Sequence, residues 1–138
     1  MIRPINKNPL FLSIKSTDAT LADLPVAKDL SDTLAAHADE CVGLAANMIG
    51  VSKRIIAFAD QTDGLNKIML NPVITSKKGH YMAEEGCLSL PGERKASRWN
   101  EITVEYTDTS FMKHNATFIG FTAQIIQHEI DMTNGILI

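Results

Sequence analysis

The stretch of residues 124–135, near the end of the chain, places the strongest constraint on the fold because its periodicity is that of a helix. From Phe121 onward, Ala123, Ile126 and Ile130 recur on one face at a spacing close to 3.6 residues, and polar residues occupy the other positions. The glycine that closes the stretch can end a helix, since glycine adopts the left-handed conformation common just beyond a helix C-terminus. The sequence therefore predicts a helix from about residue 121 to residue 135.

The same stretch contains half of a His-Glu-x-x-His pattern. Two histidines one helical turn apart can both ligate a metal, and the glutamate beside them can act as general base on a metal-bound water. His128 and Glu129 are present, but Met132 occupies the second histidine position. The function of the chain therefore depends on whether other segments complete such a site.

Length and composition predict one globular domain spanning residues 1–138. Hydrophobic residues make up 45% of the chain and charged residues 21%, which is typical of folded soluble domains. A formal net charge of −3 gives no electrostatic reason to expect nucleic acid as a partner. No apolar run approaches the ~20 residues of a membrane helix, and no signal-peptide pattern is present, so we expect a cytoplasmic protein that does not bind membranes. In that compartment, Cys41 and Cys87 are expected to be free thiols, ligands or buried small residues.

Local patterns predict further elements on both sides of the chain centre. Asp23 and Pro25 suit a helix start, and apolar residues then recur every four positions, which predicts a helix over residues 24–40. Residues 10–14 are apolar enough to pack as an extended segment. Strand patterns and turn compositions predict strands at residues 54–59, 67–71, 102–106 and 113–119, a hairpin of residues 73–76 with 80–83, and a C-terminal tail, 136–138, that joins a sheet edge.

Three compact stretches contain the residues best suited to chemistry: residues 43–50, 85–89 and 127–135. Cys87 and His128 offer a soft and a borderline ligand, a combination that suits Zn²⁺ or Fe²⁺ better than Mg²⁺. Taken singly, each of these residues is compatible with a purely structural role. Cys87 alone is typical of a buried small residue and His128 of a satisfied half-buried histidine, while Met48 and Met132 are typical core residues.

Together, the three stretches resemble the peptide deformylase family, the metal hydrolases that remove the formyl group from nascent peptides. The resemblance rests on Gly-Leu-Ala-Ala at residues 43–46 with Gly50, on Glu-Gly-Cys-Leu-Ser at 85–89, and on Gln-His-Glu-Ile-Asp at 127–131 with Gly135. The motifs occur in the family's order, and the resemblance covers about residues 24–138. It implies an α+β fold in which mixed, mainly antiparallel β-strands surround a central helix that bears the His-Glu motif, with the first long helix packed outside.

The resemblance also implies a role for each matching position. Cys87 and His128 correspond to metal ligands, Glu129 to the general base and Leu88 to the residue whose backbone N–H faces the developing oxyanion. Two further pairs complete the assignment: Glu85 and Arg98, which brace the ligand loop, and Gly43 and Leu44, which line the peptide-binding edge.

Two positions depart from the family pattern. Met132 replaces the second helix histidine, and Met48 replaces a glutamine whose side chain helps to hold the oxyanion. A thioether is at best a weak ligand for Zn²⁺, and losing an oxyanion donor typically lowers the rate by on the order of 10²-fold. We therefore expect a divalent metal, Fe²⁺ or Zn²⁺, to be held weakly or lost.

Two functions follow from these residues. The first is a deformylase-like metallohydrolase that acts on N-formyl-Met peptides or nascent chains through metal-activated water, with weak or lost activity. The alternative is a non-catalytic paralogue that keeps the cleft and binds a peptide N-terminus or a protein partner. A domain with no small-molecule role is a third interpretation of the same sequence.

Overall fold

The computed structural model describes residues 1–138 and contains one antiparallel sheet packed around a buried helix. The sheet has five strands in the order of the sequence. They are β1, Gly43–Ala45; β2, Ile55–Ala59; β3, Asn66–Cys87; β4, Leu90–Thr107; and β5, Lys113–Ile119. The helices are α1, Pro9–Leu12; α2, Leu24–Ala36; and α3, Gly120–Thr133. A short 3₁₀ turn, Leu21–Asp23, precedes α2, and another, Ala46–Ile49, follows β1.

Helix α3 lies at the centre of the molecule, and the predicted α+β class and central helix are confirmed. Most of its residues are buried, including polar Gln127, His128 and Glu129 as well as the apolar face. The apolar core joins α3 to β1, β2 and α2 through side chains that are almost fully buried, among them Leu30, Leu44, Ile56, Phe58 and Ile126. None of the helices combines the length with the apolar character that crossing a bilayer requires.

The long hairpin of β3 and β4 differs most from the expectation. Instead of turning back at Gly79, β3 continues to Cys87 and pairs with β4 along most of its length. Gly79 lies within the strand opposite Asn100 and has a φ of +78°, a conformation that glycine adopts without strain. The turn-like composition of residues 77–79 therefore marks an irregular position inside β3. The predicted hairpin of residues 73–76 with 80–83 was wrong.

Three smaller expectations also need correction. Residues 10–14 do not form an extended segment, because Asn8 caps the short helix α1 with its side chain oxygen on the Leu10 N–H at 3.0 Å. Helix α2 ends at Ala36 instead of residue 40, where the His37 N–H donates to the carbonyls of Thr33 and Leu34. The C-terminal residues 136–138 join no strand, whereas β5 has the predicted limits and pairs with β4.

Candidate active site

The three motif stretches meet at a single cavity of about 490 Å³. Its walls come from the segment that leads into β1, from the tip of the β3–β4 hairpin and from one face of α3. The lining residues are Glu40, Cys41, Val42, Gly43, Met48, Glu84, Glu85, Gly86, Cys87, Leu88, Leu90, Gly92, Phe121, Gln124, Ile125, His128 and Glu129. The volume lies in the range of small-ligand sites in proteins.

The hairpin tip supplies Cys87 and Leu88. The register of the ladder shifts between Gly86 and Cys87, and Leu88 and Ser89 form the turn that connects the strands. The backbone N–H of Leu88 makes none of the hydrogen bonds found in turns and loops. This N–H is therefore available to an acceptor inside the cavity.

His128 is held by a buried ion-pair network that also fixes the hairpin. Its Nδ1 donates to Glu85 Oε1 at 2.8 Å, and Arg98 donates to both oxygens of the same carboxylate, with Nη2 2.7 Å from Oε1 and Nε 2.9 Å from Oε2. Arg98 Nη1 also lies 2.7 Å from Asp131 Oδ2 on α3. Because Nδ1 is occupied by a carboxylate, Nε2 of His128 is the nitrogen left for a ligand.

The network lowers the pKa of Glu85 and raises the pKa of His128, so each group favours its charged form. Burial alone would raise the pKa of Glu85, but hydrogen bonds from His128 and Arg98 outweigh burial and lower it to about 2. Burial alone would lower the pKa of His128, but contacts with Cys87 and Glu85 raise it to about 10. The Cys87 thiol and the Glu85 carboxylate therefore both favour the protonated form of this imidazole.

Glu129 is buried at the floor of the cavity beside β1. Only 4% of the residue is exposed, and its Oε1 has no hydrogen-bond partner. A Cβ atom on Gly43 would lie 2.8 Å from Glu129 Oε2, so β1 passes against this carboxylate. Burial raises the pKa of Glu129 to about 7, which is close to the value that suits a group transferring protons near neutral pH.

The two methionines that depart from the family pattern occupy different places. Met48 lines the cavity with Leu88 and Cys87, and its sulfur accepts the Ala45 N–H at 3.4 Å. Met132 is fully buried within the apolar core and does not line the cavity, while its carbonyl accepts a hydrogen bond from Asn47 Nδ2 at 2.7 Å.

This donor set does not fit a tightly held Zn²⁺ or Fe²⁺. Catalytic zinc sites use three protein ligands and leave one position for water. Cys87 and His128 provide two suitable donors on facing walls of the cavity, but no three His, Cys, Asp or Glu side chains in the chain form a group that could hold a metal. The position that holds the second helix histidine in the family pattern is occupied by Met132, which is buried and does not line the cavity.

The structure adds wall residues that sequence reasoning did not select. Phe121, Gln124 and Ile125 lie one and two turns before His128 on the same face of α3, so helical spacing could have identified them. Glu40, Cys41 and Glu84 reach the cavity only through the tertiary fold. Leu44 is fully buried and does not line the cavity, so only its backbone is available to a peptide. Arg98 does not line the cavity either, but it binds the lining residue Glu85.

Comparison with known proteins gives consistent matches over the whole chain. The family model for polypeptide deformylase matches residues 3–138. A peptide deformylase of Clostridium beijerinckii is 54% identical over 138 residues, which is 100% of both chains. Among solved structures, a peptide deformylase of Legionella pneumophila has a TM-score of 0.87 and 33% identity, covering 99% of this chain and 83% of that one. A Met-Ala-Ser-bound class I type b peptide deformylase of Acinetobacter baumannii has a TM-score of 0.86 and 28% identity, covering 99% and 97%.

Proposed function

Because this chain belongs to the polypeptide deformylase family, we propose that its cavity receives the N-terminal formylmethionine of a peptide or nascent chain and that it hydrolyses the formyl amide only weakly. The observation that carries the proposal is the convergence of Cys87, Leu88, His128 and Glu129 on one cavity that Met132 does not line. Nascent chains are made in the cytoplasm, so we expect the protein to act there.

The residues of the cavity have distinct roles in this proposal. Glu129 accepts a proton from the water that attacks the formyl carbon and returns it to the departing amine, a role suited to its position and its raised pKa. The N–H of Leu88 donates to the formyl oxygen as negative charge develops on it. β1 is an edge strand and lines the cavity at Gly43, so its unpaired backbone groups can bind an extended peptide in the mode by which a peptide adds to the edge of a sheet.

Weak hydrolysis follows from the two methionines. Family membership implies a divalent metal, whose contribution is to activate the water, and the two donors Cys87 and His128 would hold such a metal loosely. Met48 offers a thioether where the family pattern has an amide N–H donor, so the oxyanion loses a partner.

A second candidate function is binding of a peptide N-terminus without turnover. Burial of Met132 in the core favours this candidate, because the cavity then persists while the donor set is incomplete. The two candidates differ in turnover and agree on the ligand.

The test compares bound metal, peptide binding and turnover across a set of variants prepared without oxygen, since ferrous thiolate sites are lost by oxidation. Met132→His should raise bound metal toward about one per chain and raise turnover of a formyl-Met peptide, because it supplies a third ligand one turn beyond His128. Met48→Gln alone should do neither. Met112→His, at an exposed position, is the control for an added histidine.

Each outcome separates the candidates. Tight binding of about one metal by the wild-type chain, with turnover equal to that of Met132→His, would show that Met132 is no defect. Peptide binding with no turnover in any variant would favour the non-catalytic candidate. Absence of peptide binding in all variants would contradict both. Glu129→Gln in the Met132→His background should abolish any turnover gained.

A further inference from the structure

Gln124 is the only amide side chain among the residues that line the cavity, and those residues include no serine, threonine, lysine or arginine. It lies one turn before His128 on the same face of α3, a separation of about 5 Å along the helix axis. Its neighbours on that face, Phe121 and Ile125, are apolar. A single uncharged hydrogen-bonding group is therefore set into an apolar part of the cavity wall.

Tyr81 fixes the orientation of this amide. Its O–H donates from β3 to Gln124 Oε1 on α3 at 2.9 Å. The other end of the amide, Nε2, makes no hydrogen bond within the protein and is not sealed off among the buried polar atoms that lack a partner. Because Gln124 lines the cavity, its two Nε2 hydrogens are available to an acceptor on a bound ligand.

The first side chain of a bound peptide can reach this amide. In the proposed function, the formyl group lies beside Glu129 and the Leu88 N–H. The methionine sulfur is three bonds beyond Cα, far enough to extend from His128 to the level of Gln124, one helical turn away. A thioether sulfur is a weak acceptor, so methionine leaves the N–H groups of Gln124 almost unused. Oxidation of methionine to its sulfoxide adds a polar oxygen at this sulfur.

We propose that Gln124 makes this cavity accept peptides whose first residue is N-formylmethionine sulfoxide, through a hydrogen bond from Gln124 Nε2 to the sulfoxide oxygen. This inference rests on the proposed function, because the formyl group must lie beside Glu129. An apolar pocket excludes a sulfoxide, since burying a polar group without a partner lowers affinity by about five- to hundredfold. The hydrogen bond from Gln124 removes most of that penalty.

The fixed amide also predicts a choice between the two sulfoxide epimers. The sulfoxide sulfur is chiral, so its oxygen points in a different direction in each epimer. Because Tyr81 holds the amide in one orientation, Nε2 meets the oxygen of one epimer and not that of the other. One epimer should bind within about threefold of the methionine peptide, and the other at least about fivefold more weakly than the first.

The experiment measures binding of three peptide amides to the full chain by calorimetry. They are formyl-Met-Ala-Ala and the two epimers of the same peptide with methionine sulfoxide in first place. The sulfoxide peptides differ from the methionine peptide by one oxygen atom and from each other only in configuration at sulfur. Mass spectrometry after each titration checks that the formyl group is retained. Binding is the readout, so the result does not depend on bound metal.

The variants identify the residues responsible. Gln124→Met keeps the length of the side chain and removes its N–H donors. It should lower the affinity for the favoured epimer by about fivefold or more and leave that of the methionine peptide within about twofold. Tyr81→Phe removes the O–H that holds the amide, so it should bring the affinities of the two epimers closer together. Gln61→Met, at an exposed residue that does not line the cavity, is the matched control and should change neither.

The outcomes distinguish this inference from the proposed function. If the methionine peptide does not bind, the proposed function fails, and this inference fails with it. If the methionine peptide binds and both epimers bind more than about tenfold more weakly, the proposed function stands and acceptance of the sulfoxide is wrong. The inference is also overturned if Gln124→Met weakens all three peptides equally, or if Gln61→Met reproduces its effect.

Discussion

Gly43 is a position at which β1 and α3 approach each other closely. A Cβ atom at this position would lie 2.8 Å from both Glu129 Oε2 and Ile125 Cγ2, closer than non-bonded contacts allow. Its φ is not in the left-handed region, so the requirement for glycine here comes from space and not from backbone conformation. The position of the Glu129 carboxylate therefore depends on the absence of a side chain on the neighbouring strand.

We expect Gly43→Ala to lower the free energy of unfolding by about 1–3 kcal/mol, because Glu129 or the strand must move to admit the methyl group. Gly86→Ala is the matched control on the opposite wall, where the nearest atom to an added Cβ is the Gly92 carbonyl oxygen at 3.5 Å. The control should change stability by less than about 1 kcal/mol. Urea unfolding of both variants checks this prediction, and equal effects would contradict the steric explanation.

The protonation of Glu129 gives a residue-scale prediction on pH. Its pKa is raised from 4.5 to about 7 by burial, so between these values the native chain binds more protons than the unfolded chain. Stability from this group is fully present below pH 4.5 and is lost as pH rises through about 7. His128 has a raised pKa of about 10 against 6.5 and Glu85 a lowered one, so both keep the same charge in native and unfolded chains over most of the range from pH 4.5 to 6.5.

Between pH 4.5 and 6.5, the contribution of Glu129 to the free energy of unfolding should fall as pH rises, by at most about 1.4 kcal/mol per pH unit. Glu129→Gln should remove this fall. Urea unfolding at several pH values, with a chelator present, measures it. If the stability of the wild-type chain relative to Glu129→Gln rises or stays constant over this window, the Glu129 pKa is not raised.

The β3–β4 hairpin is the element that delivers Cys87 to α3, and Arg98 is its main attachment. The guanidinium, 3% exposed, binds Glu85 on the neighbouring strand and Asp131 on the helix. Arg98 and Glu85 are buried together, whereas the Asp131 side chain is 25% exposed, so removing the cation leaves the Glu85 carboxylate buried without its main partner.

Arg98→Met, which keeps much of the side-chain volume, is expected to destabilise the protein by about 3–5 kcal/mol. Lys78→Met on the same hairpin is the control, since Lys78 is 73% exposed and pairs with Glu101 at 3.1 Å. Such surface pairs contribute about 0–1 kcal/mol. Chemical unfolding of both variants measures the difference, and an Arg98→Met effect as small as the control would contradict the structural role of the network.

At the scale of the whole molecule, the N-terminal segment closes the core by contacts far apart in sequence. Ser16 N–H donates to the Thr133 carbonyl at 2.8 Å, at the end of α3, and Thr17 forms a parallel bridge with Lys53. Asn71 binds both backbone groups of Ala19, accepting its N–H at 2.7 Å and donating to its carbonyl at 3.0 Å. Asn71 has a φ of 53°, a left-handed conformation that asparagine tolerates better than most residues.

Asn71→Ala should reduce the free energy of unfolding by about 2–4 kcal/mol, because it removes two hydrogen bonds and places a Cβ residue in the left-handed region. Asn71→Gly loses the same bonds without the backbone strain, so it should cost about 1 kcal/mol less. Asn115→Ala, at an exposed position of β5, is the control and should have little effect. Equal losses in the alanine and glycine variants would show that the φ of residue 71 does not matter.

Three features could be predicted because each depends on residues that are neighbours in sequence. They are the helix that begins near residue 121 and ends before Gly135, the limits of β5, and the three motif stretches. Apolar residues at helical spacing predict α3, and apolar–polar alternation after a turn predicts β5. The β3–β4 hairpin could not be predicted, since Gly79 between lysines and a histidine has the composition of a turn and only pairing with β4 shows that the strand continues.

The same division applies to the candidate site. The sequence by itself determined the family resemblance, the choice of Cys87 and His128 as candidate donors, and the change at Met132, because each depends on residue type and local spacing. Only the tertiary structure decided that Met132 is buried and does not line the cavity, that Arg98 joins Glu85 to Asp131, and that Glu40 and Glu84 line one cavity. These relations join strands and helices far apart in the chain, and packing, which no local pattern encodes, sets the distances between them.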